Sequence, residues 1–86
     1  MTLFLAAVGA GRVEAVKRIL SGCDINGYMN VIDRGLIHAA LDGSWDIVIF
    51  LLRIGANVDV RYKLGVTSLM VAARAGHFRC VKALME

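Results

Sequence analysis

Three segments of the chain can be set one under another: "FLAAVGAGRVEAVKRIL" (residues 4–20), "LIHAALDGSWDIVIFLL" (36–52) and "LMVAARAGHFRCVKALM" (69–85). The offsets are 32 and then 33 residues, the shorter one fitting a deletion after Leu20, where "SGCDIN" stands against "RIGANVD". Three columns are invariant: Ala7, Ala39 and Ala72; Gly11, Gly43 and Gly76; Val16, Val48 and Val81. Others keep their character, as in Val13, Trp45 and Phe78, or Ile19, Leu51 and Leu84, or Leu20, Leu52 and Met85. A fixed period of this length constrains the fold more than any other feature. It means copies of one small unit, none able to bury its apolar face alone, stacked so that neighbours cover one another.

The columns specify the unit. After each shared glycine the apolar residues recur at i, i+3, i+6 and i+7, which is one face of a helix. Before it lies a second short helix of small residues, whose alanine column lets neighbouring helices approach. The glycine permits a sharp reversal between the two, because it tolerates positive φ. Helices shorter than about 12 residues are marginal alone in water, so the pairs must stack. The stretches "GCDINGYMNVID" and "GANVDVRYKLGVT" carry glycines and turn signals, including Asn26-Gly27, and read as extended loops projecting from the stack. Thr67 stands where an N-cap is needed before "SLMVAA". That column holds Arg34 in the middle unit, so Asp33 is the expected cap there. The chain has no proline, which suits a mostly helical fold.

The ordered strings "TSLMVAARAGH" (67–77), "LIHAALDGS" (36–44), "LLRIGANVDV" (51–60) and "LAAVGAGRVEAVKRIL" (5–20) with "GCDIN" together resemble the ankyrin repeat, over the whole chain. The resemblance implies an all-α solenoid of three stacked helix-turn-helix units with hairpin-like loops. Its units would cover about 1–32, 33–65 and 66–86 of a single domain, the terminal ones incomplete. It departs from the family pattern at two columns. The histidine column holds Leu5, Ile37 and Met70, and the proline column holds Leu3, Gly35 and Ser68. Ile32 stands where the loop glycine is usual, with Gly65 as its counterpart, so the first linker is expected to be irregular. The uncapped ends imply either a longer array or a partner that covers their apolar sides.

The family's loop tips and first helices form a concave binding face. Carried over by position, that face comprises Tyr28, Asn30, Val31, Asp33, Leu41 and Asp42 from the second unit. The third unit contributes Arg61, Lys63, Leu64, Val66, Arg74 and Ala75. Tyr28, Arg61 and Arg74 are the preferred anchors, since tyrosine and arginine dominate interface hot spots. The implied function is a non-catalytic module binding a partner protein, in an intracellular (cytoplasmic or nuclear) setting. The alternatives are self-association through the open apolar ends and nucleotide or nucleic-acid binding by the basic third unit.

Other chemistry finds little support in the residues. His38 lacks an acidic partner at a fixed spacing on the core side, with Asp42 at i+4 a plausible neighbour only. His77 follows the shared glycine, where the resemblance implies a bridge between neighbouring units. Cys23 and Cys80 fall two units apart, too far to share a bridge or an ion if stacked helices lie about 8–10 Å apart. Two cysteines without a CxxC pattern favour a reducing compartment. No cofactor or metal is expected. The apolar opening "MTLFLAAVGA" lacks the positive leading region of a signal peptide, and the longest apolar runs fall short of the ~18 residues a bilayer span needs.

The formal net charge is +3, and residues 60 to 85 hold five basic side chains and no acid. These do not form one stripe: Arg61 and Lys63 lie on a loop, Arg74 ends a first helix, and Arg79 and Lys82 lie on a second helix. A phosphate-tracking groove would gather them with interleaved aromatics. The column mates of Trp45, Val13 and Phe78, place it in or beside the core. Ile49 and Phe50 share columns with Lys17 and Lys82 and with Arg18 and Ala83, so both are expected on the outer surface as a contact patch.

Overall fold

A computed structural model describes residues 2–22, 24–61 and 63–85, and the side chains of all of these except Thr2, Ile25 and Lys63. Among these residues six α-helices form three antiparallel pairs. The first helices are α1 (Thr2–Gly9), α3 (Met29–Asp42) and α5 (Ser68–Ala75), and the second are α2 (Val13–Ser21), α4 (Trp45–Arg53) and α6 (Phe78–Met85). α3 packs between α1 and α5, and α4 between α2 and α6, giving two layers of parallel helices. The principal extents of 33 × 22 × 22 Å fit three pairs at the ordinary interhelix spacing of about 8–10 Å.

The shared columns make one recurring corner. Gly11, Gly43 and Gly76 take φ of 71°, 78° and 77° and end the first helices in the left-handed conformation. The next residue then donates its N–H to the alanine-column carbonyl: Arg12 to Ala7 at 3.1 Å, Ser44 to Ala39 at 2.9 Å and His77 to Ala72 at 3.0 Å. This bond satisfies a carbonyl the helix end would otherwise leave bare. The alanines themselves are buried, so the column serves packing and capping at once.

Adjacent columns point to opposite neighbours. In α4, Ile47, Val48 and Leu51 are all fully buried. In α2 only Val16 and Leu20 are buried, while Ala15 and Ile19 are half-covered; in α6 Cys80 is fully buried and Leu84 nearly so, while Val81 is half-covered and Met85 is 72% exposed. The columns of Ile47 and Leu51 therefore face the preceding pair, and those of Val48 and Leu52 face the following one. The first helices divide the same way. Phe4 and Val8 are buried toward α3, Ser68 and Ala72 are buried from the α5 side, and Leu3 is 77% exposed. Each buried side chain of this size contributes about 1.5–3 kcal/mol.

The first linker departs from the extended loop expected of it. Ile25–Tyr28 forms a 3-10 turn, with Asp24 accepting the Asn26 N–H at 3.2 Å, and α3 begins at Met29. Asp33 is therefore not an N-cap. It lies inside α3, and its carboxylate accepts the Asn57 N–H at 2.8 Å, tying this helix to the loop after α4. The cause is local: Arg34 supplies no cap, Gly35 replaces a proline that marks a helix start, and Ile32 cannot take the positive φ that its counterpart Gly65 adopts at 73°. Ile32 instead turns into the core with 0% exposure. In the third pair the expected cap is present, with Thr67 Oγ1 accepting the Met70 N–H at 3.4 Å.

A helical glycine at position 35 costs about 1 kcal/mol relative to alanine. The space it leaves is used: a Cβ built there would lie 2.6 Å from the Phe4 ring. The first pair thus docks by laying an aromatic ring on the backbone of α3. Among the described residues no helix is long and apolar enough to cross a membrane.

Candidate functional site

The residues expected to bind a partner sort into two ends of the first-helix layer. Tyr28, Asn30, Val31 and Asp33 lie at the start of α3, beside the loop that leads into α5. All four read in sequence as part of the extended linker, with Asp33 as the cap ending it; instead Tyr28 closes the 3-10 turn and the others occupy the first turns of the helix. Tyr28 and Val31 pack partly against the core, and Asp33 is engaged by Asn57. Asn30 is exposed.

At the other end Leu41 and Asp42 finish α3, and Arg74 and Ala75 finish the adjacent α5; all four are exposed. Asp42 lies twelve helical steps beyond Asn30, so the face runs about 18 Å along the helix. At helical spacing Asn30, Arg34 and Leu41 fall on one stripe, so exposed Arg34 belongs to this surface. Its column, otherwise a capping column, concealed it in the sequence.

The loop before α5 supplies Arg61, which is exposed, and Leu64, which is 102% exposed and holds φ 60°. A non-glycine residue in that region costs roughly 1–2 kcal/mol, and here a bulky apolar side chain is held into solvent at that cost. The side chain of Lys63 lies outside the described residues. Val66 and Arg74 meet in a depression of about 450 Å³ completed by Met70, Val71 and Ala73. Met70, 56% exposed, is a second member of this surface that column reading passed over.

His77 joins the second and third pairs. Its Nε2 lies 3.0 Å from the Leu41 carbonyl oxygen, which can only accept, so the proton sits on Nε2. The ring rests against Gly43, where an added Cβ would come within 2.8 Å of Nδ1. The expected bridging role holds. His38 is half-buried on α3.

The second-helix layer corrects one expectation. Trp45 is 41% exposed, not core, and Phe78 in the same column is 81% exposed. That column opens each second helix straight after the corner; its first member, Val13, still packs partly against the core. The Arg79 guanidinium lies 5.3 Å from the centroid of the Trp45 ring, and Lys17 Nζ lies 5.7 Å from that of Phe50. Ile49 and Phe50 are half-buried. The Cys80 thiol is free and buried, its pKa raised by that burial first and by the Asp46 carboxylate second. Cys23, and with it the expected separation of the two cysteines, lies outside the described residues. No group of three potential metal-ligating side chains occurs among the described residues.

Stacked helix pairs with a left-handed glycine corner, an alanine seam and a histidine bridge define a helical repeat solenoid. The chain belongs to the ankyrin-repeat family: a family model for ankyrin repeats in three copies matches residues 3–86. Over 50 residues, 58% of its length, it is 49% identical to a probable E3 ubiquitin-protein ligase, XBOS33, of rice (Oryza sativa subsp. japonica). The chain spans about 10% of that protein's length. Ankyrin repeats generally mediate protein–protein interaction and are typically non-catalytic.

Proposed function

We propose that this domain is a non-catalytic recognition module that holds a partner protein against its first-helix face and the loop before α5, in an intracellular setting. The carrying observation is Leu64: a fully exposed leucine kept in left-handed backbone at a loop tip, beside Arg61 and the Val66–Arg74 depression. Strain of this kind persists where the surroundings enforce it, and it gathers at ligand-contacting positions. Along the same first-helix layer Asn30, Leu41, Asp42 and Arg74 offer the mixed apolar and charged lining of a protein interface.

The test starts from affinity purification with partners identified by mass spectrometry. Replacing Arg61 and Tyr28 together by alanine is expected to weaken the purified complex about tenfold or more, as loss of hot-spot residues does, with the far-UV circular dichroism unchanged. Equal affinity in the folded double variant would refute the assignment of the face. A second reading, self-association, rests on Leu3 and Met85, 77% and 72% exposed at opposite ends of the stack. It requires the mass measured by light scattering to rise with concentration.

A further inference from the structure

The second-helix layer carries a surface that the first-helix reading leaves unused. Three shallow depressions of about 310, 200 and 410 Å³ run across α2, α4 and α6, and Ile49 lines all three. Trp45 lines two of them and Phe50 one, so α4 gives the trough a continuous apolar floor. The rim is cationic. Arg79 and Lys82 stand on the α6 side, Lys17 on the α2 side, and Arg53 at the end of α4.

Two carboxylates belong to the same region. Asp46 lines the α2-side depression and accepts the Ile47 N–H at 2.9 Å. Glu14 is 3.8 Å from Lys17, an exposed pair of little strength. Among the described residues four cations therefore outnumber two acids around an apolar trough, and the alternation repeats the layout of many peptide-binding grooves, with anchors below and charges above.

We propose that this trough is a second docking surface, and that its occupant is an acidic peptide segment of a partner protein carrying at least one large apolar side chain. The apolar chain seats on Ile49 between Trp45 and Phe50, and the carboxylates meet Arg79 and Lys82 on one side and Lys17 and Arg53 on the other. Charge complementarity selects an acidic occupant over a second copy of this chain, whose net charge is +3. Two competing occupants fit less well. A nucleic acid would need free aromatic faces to stack its bases, whereas the Arg79 guanidinium already covers the Trp45 ring. A bilayer takes up projecting apolar side chains, whereas Ile49 and Phe50 are half-buried below the cations.

Trp45 is the chain's one tryptophan, so its emission reports occupancy directly. A random-peptide phage library is selected on the folded domain, and enriched peptides free of tryptophan are synthesised and titrated against Trp45 fluorescence. Expected are sequences combining Asp or Glu with Leu, Ile or Phe. Their affinity should fall with added salt, and by about tenfold in Arg79→Glu/Lys82→Glu, the loss of two partly exposed charge pairs. Arg79→Gln/Lys82→Gln gives a milder loss and serves if charge reversal perturbs folding. The Tyr28→Ala/Arg61→Ala variant should bind these peptides unchanged, which separates this surface from the first-helix face. The proposal is overturned if no acidic-apolar peptide shifts Trp45 emission, if folded charge-reversed protein binds equally well, or if a single-stranded oligonucleotide or a phosphatidylserine vesicle shifts that emission more tightly than the peptides do.

Discussion

The middle helix pair and the outer two are built from nearly the same columns, yet they are held differently. In α4 Ile47, Val48 and Leu51 are fully covered and only Leu52 is half-buried, because a neighbour lies on each side; α2 and α6 each bury two of these columns and leave the others half-open or exposed. One column thus has three environments: Ile19 half-buried, Leu51 at 0% and Leu84 at 7% exposure. Position in the stack, as much as residue type, sets how much an apolar side chain contributes. The outer pairs depend on the middle one, and it depends on both.

The largest expected effect tests this dependence. Leu51→Ala should cost about 3–5 kcal/mol in urea-denaturation stability, the upper part of the range for a leucine deleted from a packed core. Ile19→Ala, half-open to solvent, should cost distinctly less. Equal losses at the two positions would break the comparison. Next come the glycine corners. Gly43 and Gly76 have nearly equal φ, 78° and 77°, but only Gly43 is pressed by the His77 ring. Gly76→Ala should cost about 1 kcal/mol for the left-handed backbone, and Gly43→Ala clearly more, because its methyl must displace the ring that joins the second and third pairs. Thermal melts of the two variants that coincide would show the ring to move freely. The smallest effect has the opposite sign. The buried Ser68 hydroxyl has no hydrogen-bond partner among the described residues, so Ser68→Ala should raise stability by about 1 kcal/mol, the cost of a stranded polar group; a destabilised variant would mean that the hydroxyl is satisfied.

The period and the corner glycines were legible in sequence because each needs one residue type at one spacing, and the histidine bridge was legible through the family resemblance alone. The helical first linker was signalled by Ile32, Arg34 and Gly35, yet it read only as an irregular loop. Missing caps and turns say where a helix need not start, and the burial of Ile32 against its neighbours decides that it continues. Trp45 was placed inward on the strength of its column mates, but apolar mates do not reveal which side of the helix a column occupies. The first-helix face was legible as positions. The trough on the second helices was half legible in Ile49 and Phe50, while its cationic rim joins three units and exists only once they are stacked.

Phe4 lying on Gly35 has a consequence for the order of the units. The same column offers Leu36 and Leu69 in the other pairs, and neither branched aliphatic chain would fill a slot shaped for a flat ring. The repeats are therefore not interchangeable beads: a shuffled array that seated the third pair ahead of the second would leave a gap along that seam. The succession of units is written into the shape of the join between them.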